Sequence, residues 1–194
     1  CCQTDAAMTS KGPLVVYRGR TREEIRDIFT TRFAGKAWSA PNAVHHDNWK
    51  MPACPVNGPS IAAQGGNVYV AWYTAADNIP TLRIARSTDA GDTFAAPVDV
   101  QRGVDVQGRV DVAFDGNQVW VAWLNESTGG QSLWLARYDA TLSRQLERIE
   151  VARLQGRGRG TGFPQLALRD GGAWLVWTDV INKQPHLRGA RVHQ

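Results

Sequence analysis

The sequence predicts an all-β fold: a β-propeller of four-stranded antiparallel blades, with about four blades present. Three observations lead there. One strand pattern returns every ~50 residues, the period of a propeller blade. Its strands are short, rich in β-branched and aromatic residues, and alternate with period two. No segment carries the apolar stripe that a helix of ~10 residues would show; "TREEIRDIF" (21–29) offers at most one helical turn in a loop.

The second strand of each unit sets the register. "GPLVVYRG" (12–19), "NVYVAWYT" (67–74), "QVWVAWLN" (118–125) and "GAWLVWTD" (172–179) align on Tyr17, Trp72, Trp123 and Trp177, at spacings of 55, 51 and 54. A third strand follows each, and Arg32, Arg86, Arg137 and Arg191 keep spacings of 54, 51 and 54 there, as blade-spacing or solvated residues. A first strand precedes each anchor: "DAAMTS" (5–10), "PSIAAQ" (59–64), "VDVAFD" (110–115) and "PQLALR" (164–169). Turns such as "DGN" (115–117) and "DGG" (170–172) suit the hairpins between first and second strands. A fourth strand follows in three units: "PNAVHH" (41–46), "PVDVQ" (97–101) and "ERIEVAR" (147–153). Residues 1–194 thus read as one partial propeller domain with blades at about 3–50, 56–103, 108–154 and 162–194. A two-sheet sandwich is the alternative, and the regular return of one pattern argues against it.

Composition narrows the function. The 194 residues are 43% hydrophobic and 21% charged, enough for one domain with a sizeable core. No apolar run approaches the ~18 residues of a membrane span. The net charge is +4, but the arginines are spread out and no basic block interleaves with aromatics, so no nucleic-acid partner is expected. Residue 1 is Cys rather than Met, so the chain is expected to be processed or truncated. The last unit stops after its third strand, and the N-terminus begins at a first strand, so it cannot supply the missing one. The expectation is therefore the C-terminal part of a six-bladed propeller, with N-terminal blades missing or a second chain needed to close it. Unclosed blades would expose sheet edges.

Ser87-Thr88-Asp89-Ala90-Gly91-Asp92-Thr93-Phe94 joins a third strand to a fourth. An Asp there accepts backbone N–H groups across a turn, Gly91 permits positive φ, and Phe94 can pack between blades. Ser87, Asp89, Gly91, Thr93 and Phe94 fill every defined position of the Asp-box pattern. The chain thereby resembles the sialidase/neuraminidase propellers with Asp-box (BNR) repeats. "FAGKAWSAP" (33–41) reads as a shortened remnant, with Trp38 in the place of Phe94, while "YDATLSRQL" (138–146) reads as having lost the motif. Asp boxes also occur in other propellers, so the motif speaks for fold more than for activity. Calcium is the competing reading, but the loop is too short and too poor in carboxylates for a full shell. No cofactor is expected.

Loops after second strands and between blades share one face of a propeller, here called the top; the Ser87–Phe94 turn lies on the bottom. The resemblance implies a sialidase-like glycosidase or glycan-binding propeller, with arginines gripping a carboxylate and a Tyr nucleophile activated by Glu. The Arg-Ile-Pro segment that supplies the family's first arginine is absent. Tyr73 is the candidate nucleophile, because Tyr17 aligns with the core Trp anchors, and Glu126 in the matching loop is its candidate assistant. Candidate ligand-binding residues are Arg18, Arg26, Asp27, Asn57, Arg109 and Arg159. Arg26-Asp27 also reads as a local ion pair, and Arg159 sits with Arg157 in the flexible "QGRGRG".

Cys1, Cys2 and Cys54 enter equivalent inner strands of adjacent blades, and no C-x-x-C pair is present. A disulfide from Cys54 to Cys1 or Cys2 fits a secreted or periplasmic chain; a thiolate metal site with His45 or His46 is the alternative, the metal unknown. Three classes stay open: a sialidase-like glycoside hydrolase with a carbohydrate ligand, a non-catalytic propeller binding glycan or protein, and a Cys-dependent metal-associated propeller.

Overall fold

The stretch NVYVAWYT shows how the fold is built. Val68, Val70 and Trp72 point to one side, Tyr69 and Ala71 to the other, and all five are buried. A strand apolar on both faces needs a sheet against each face, and stacked blades supply both. Residues 2–193 are described, in a computed structural model. Blade one comprises β1 (Asp5–Thr9), β2 (Gly12–Arg18), β3 (Ile28–Arg32) and β4 (Asn42–His45). Blade two comprises β5 (Ser60–Gln64), β6 (Asn67–Thr74), β7 (Thr81–Ser87) and β8 (Val98–Arg102). Blade three comprises β9 (Val106–Phe114), β10 (Gln118–Ser127), β11 (Gly130–Asp139) and β12 (Gln145–Leu154). Blade four has three strands: β13 (Gln165–Arg169), β14 (Gly172–Ile181) and β15 (Gln184–His193). Strands within each blade pair antiparallel in chain order. The helical content of the described residues is two short 3-10 turns, and residues 21–29 form no helix. None of these helices is long and apolar enough to cross a membrane.

The blades stack through alternate faces of their second strands. Leu14 and Val16 of β2 meet Val68, Val70 and Trp72 of β6. On the other side of β6, Tyr69 and Ala71 meet Val119, Val121 and Trp123 of β10. Trp120, Ala122 and Leu124 of β10 meet Ala173, Leu175 and Trp177 of β14. The same rule leaves two end faces. Among the described residues Tyr17 stacks on Phe29 of its own blade, at 6.1 Å. At the other end Trp174, Val176 and Leu187 are exposed, in places equivalent to the buried Tyr69, Ala71 and Leu82.

The first strands lie side by side and carry polar ties. Asp5 Oδ2 accepts the Ile61 N–H, and Asp111 Oδ2 accepts the Leu166 N–H. The Ser60 hydroxyl lies between both carboxylates, 2.9 Å from Asp5 and 2.7 Å from Asp111. It has one proton for two acceptors. Burial raises the Asp111 pKa.

The bottom turns explain the repeated arginines. Each faces the third residue of the second strand: Arg32 opposite Leu14, Arg86 opposite Tyr69, Arg137 opposite Trp120, Arg191 opposite Trp174. Arg137 and Arg191 cover their tryptophan rings at 5.2 and 5.1 Å. In the Ser87–Phe94 turn, Asp89 accepts the Thr93 hydroxyl at 2.6 Å, the Thr93 N–H at 2.9 Å and the Ser87 hydroxyl at 2.7 Å. Those donors, the Thr93 hydroxyl first, hold its pKa well below the usual carboxylate range. Gly91 adopts φ +91°, and a Cβ there would collide with Leu14 of blade one. Asp92, an undefined position of the motif, ties this turn to Lys11 and Arg32 of blade one.

Blade three corrects the reading that it lost this turn. Asp139 accepts the Ser143 N–H at 2.9 Å and the Ser143 hydroxyl at 2.7 Å, as Asp89 does with Thr93. Leu142, at φ +61°, makes a left-handed bend without glycine. In blade one Trp38 is 54% exposed and leans on Phe33, so it does not do what Phe94 does.

Asp89→Asn is expected to lower stability at pH 7 by about 1–2 kcal/mol, the scale of hydrogen bonds to a charged acceptor. Because the folded pKa is depressed, the wild-type advantage is full above the ordinary value of about 4 and shrinks as the pH falls below it. Urea denaturation at pH 7 and pH 3 checks this; an undiminished gap at pH 3 would contradict it.

Candidate functional site

The top face is organised by cations that act as struts. Arg18, at the end of β2, donates from Nε to Asn57 O at 2.8 Å, from Nη1 to Arg26 O at 2.6 Å, and from Nη2 to Tyr73 O. Its guanidinium lies 5.1 Å over the Trp49 ring. Burial lowers its pKa to about 10, opposed by Cys2, Asp47, Asp27 and Tyr73, and it stays a cation at neutral pH. Arg26 donates to Met51 O at 3.0 Å and pairs with Glu24 at 2.8 Å, so its ionic partner is Glu24 rather than Asp27. Asp27 is buried, with Oδ2 3.4 Å from His46 Nδ1 and Oδ1 without a hydrogen-bond partner.

Asn57 is a second strut. Its Oδ1 accepts the Arg109 N–H at 2.9 Å, and its Nδ2 donates to Gln107 O at 3.0 Å. Gly108 at φ +84° and Arg109 at φ +54° bend the chain beneath Tyr73, where a Cβ on Gly108 would crowd both Tyr73 and Asn57. A non-glycine residue in this region stores strain that its surroundings must hold. Arg109 is held by Thr161 Oγ1 at 3.0 Å and Gly162 O at 2.7 Å, with Phe163 5.5 Å beneath the guanidinium. Burial lowers its pKa, and Arg159 lowers it further while Glu126 opposes both.

Two adjoining cavities open between these elements, and both include Tyr73 and Gln107. One, of about 250 Å³, is lined by Trp49, Asn57, Arg109 and Arg159, with Cys54. The other, of about 420 Å³, is lined by Asp105, Glu126 and Gly158. Tyr73 packs edge-on to Trp49 at 5.6 Å, and burial raises its phenol pKa against the pull of Arg18. Glu126 Oε2 accepts from Gln107 Nε2 at 2.8 Å, Gln131 Nε2 at 3.0 Å and Gly158 N at 3.1 Å. Of the residues singled out in the sequence, Tyr73, Glu126, Asn57, Arg109 and Arg159 therefore gather around the two cavities. Arg18, Arg26 and Asp27 are absent from both linings. Gln107, common to both cavities, was not singled out. It lies at the start of β9, where the chain enters blade three, and an uncharged amide gives no chemical signal in one sequence.

Cys54 is disulfide-bonded and Cys2 is a free thiol, while Cys1 lies outside the described residues. Among the described residues no group of three His, Cys, Asp or Glu is placed to hold a metal ion. Asp47, 3.8 Å from His45, is already engaged by Trp72 and Arg83.

No protein-family model and no curated protein matches the sequence. Solved structures do match in fold. The phage phi92 endosialidase shares 12% identity at TM-score 0.70, over 98% of this chain and 35% of its own. The α-L-arabinofuranosidase arb93a from Fusarium graminearum shares 14% at TM-score 0.65, over 98% and 60%. The GH43 endo-arabinanase from Bacillus licheniformis shares 14% at TM-score 0.58, over 97% and 70%. At such identities the likeness shows the fold, a β-propeller, and this chain spans only about a third of the endosialidase.

Asn57→Ala is expected to cost about 1–3 kcal/mol, because it leaves the buried Arg109 amide unpaired. Urea denaturation measures it; a cost near zero would show that Asn57 is not a strut.

Proposed function

We propose that the top-face cleft binds an acidic glycan and hydrolyses it as a sialidase-like glycosidase. One observation carries this reading: Tyr73, Glu126, Arg109 and Arg159 converge on two cavities with a common wall. The names of the structural neighbours, an endosialidase, an arabinofuranosidase and an arabinanase, support a glycoside as the ligand class. The Asp-box turn supports the same family.

In this mechanism Arg109 and Arg159 hold the substrate carboxylate. The Tyr73 oxygen bonds to the anomeric carbon as the glycosidic C–O bond breaks. The phenol proton passes to Glu126, and Asp105 in the same cavity protonates the leaving oxygen; Asp105 then takes a proton from a water whose oxygen bonds to the anomeric carbon as the Tyr73 O–C bond breaks, and Glu126 returns its proton to Tyr73. A phenol with a raised pKa needs such a base. Glu126 makes no hydrogen bond to the Tyr73 hydroxyl among the described residues, and Gln107 occupies its carboxylate instead. That arrangement favours a second reading, a propeller that binds glycans without cleaving them. In the first reading substrate displaces Gln107 from Glu126.

We also propose that further blades of the same protein, or a second chain, cover Tyr17 at one end and Trp174 at the other, and that the protein works in a secreted or periplasmic setting. The Cys54 disulfide supports an oxidising compartment.

A fluorogenic sialoside distinguishes the two readings. The hydrolase reading expects turnover that falls at least a thousandfold in Tyr73→Phe with ligand binding retained, and a KM about tenfold higher in Arg159→Gln, the scale of one charge-assisted contact. Binding without turnover supports the lectin-like reading. Light scattering tests the end faces: a stable monomer of residues 1–194 with no tendency to associate would count against covered ends.

A further inference from the structure

We propose that the bottom face carries a second binding site, for a small sugar bearing a carboxylate, such as a uronate. The site is a cavity of about 360 Å³ between the Ser87–Phe94 turn of blade two and the corresponding turn of blade three. Arg86, Thr88, Thr93, Phe94, Thr141 and Leu142 line it, and no residue of the two top-face cavities does. Its volume falls at the lower end of the ~300–1,000 Å³ usual for small-molecule pockets.

The charge at its wall is the first argument. Arg32, Arg86 and Arg137 occupy one position in successive blades. Arg32 is neutralised by Asp92 at 3.1 Å, and Arg137 by Glu147 at 3.2 Å. Arg86 has no carboxylate partner among the described residues. Its Nη2 donates to the neutral Asn67 Oδ1 at 2.9 Å, and it also hydrogen-bonds the neutral Tyr69 hydroxyl. A guanidinium without a counter-charge beside an open cavity favours a carboxylate, which matches its planar fork.

The hydroxyls and the apolar wall narrow the ligand further. Thr93 Oγ1 gives its proton to Asp89 at 2.6 Å, and Thr141 Oγ1 shares its own between Ser143 Oγ at 2.9 Å and Asp139 at 3.1 Å. Both keep their lone pairs as acceptors, which suits a ligand rich in hydroxyl donors. Phe94 and Leu142 offer apolar surface to the C–H face of a ring. An inorganic oxyanion would satisfy Arg86 and leave that surface unused. A neutral hexose would use the surface and leave Arg86 unmatched. A uronate uses both.

The test is titration of the protein with sodium glucuronate, glucose and sodium sulfate, followed by calorimetry and by amide chemical shifts. Saturable glucuronate binding is expected at about 1 mM, equivalent to about 4 kcal/mol, with shifts at Thr88, Thr93 and Thr141 and much weaker binding of glucose and sulfate. Arg86→Gln should weaken it at least tenfold, Thr141→Val several-fold, and Arg188→Gln on the exposed β15 not at all. Should Arg86→Gln fail to fold, Thr141→Val and the shift map decide. Shifts centred on Tyr73 and Gln107, equal affinity for sulfate, full binding by Arg86→Gln, or no saturable binding would each overturn the proposal. None of these outcomes depends on hydrolysis at Tyr73.

Discussion

The buried junction between blades one and two supports the rest of the top face. Trp72 fills it, and its indole N–H is satisfied by Asp47 Oδ2 at 2.6 Å. Asp47 belongs to the connection that leaves blade one, and its other oxygen is held by Arg83 of blade two. A fully buried carboxylate is tolerated only when its partners are in place; losing one typically costs 3–5 kcal/mol. The same connection continues through Trp49 to Asn57, so one tie fixes the platform under Arg18, the face against Tyr73 and the strut under Arg109. The next junction repeats the device with neutral partners, as Trp123 donates to Gln101 at 2.8 Å and Asn125 at 3.1 Å.

The two faces divide their charges differently. On top, Arg18 spends its donors on backbone carbonyls, and this rigidifies the rim without creating a ligand contact. Arg159 is exposed, and the buried Arg109 gives the protein one guanidinium nitrogen; these two are the arginines that line the top-face cavities. On the bottom, Asp92 of a turn pairs with Arg32 and Glu147 of β12 pairs with Arg137, while Arg86 has no carboxylate partner among the described residues.

Much of the fold was legible because burial on both faces forces a pattern that repetition makes visible. The Val-x-Val-x-Trp run of β6 and its three counterparts gave strands, register and blade number. The site was legible only by address. Loop position singled out Tyr73, Glu126 and Arg109, but could not separate a ligand-facing arginine from a strut. Arg18 and Arg159 look alike in one dimension, and their difference is the set of carbonyls that folding brings around one of them. Blade three shows the opposite limit. Its turn carries no glycine signature because Thr141 stands in the place of Gly91, yet Asp139 and Ser143 keep the spacing that the hydrogen bonds need.

The sequence by itself determined the repeating strand, the hairpin order and the turn that caps Asp89, since these depend on neighbours within a few residues or on a period. Tertiary structure alone decided which polar groups remain available. The pairing of Asp47 with Trp72, Arg32 with Asp92 and Asn57 with Arg109 joins residues 25, 60 and 52 positions apart. A partner at that distance leaves no local trace, because the energy of a buried hydrogen bond depends on the blade packed against it and not on the residues beside it in the chain.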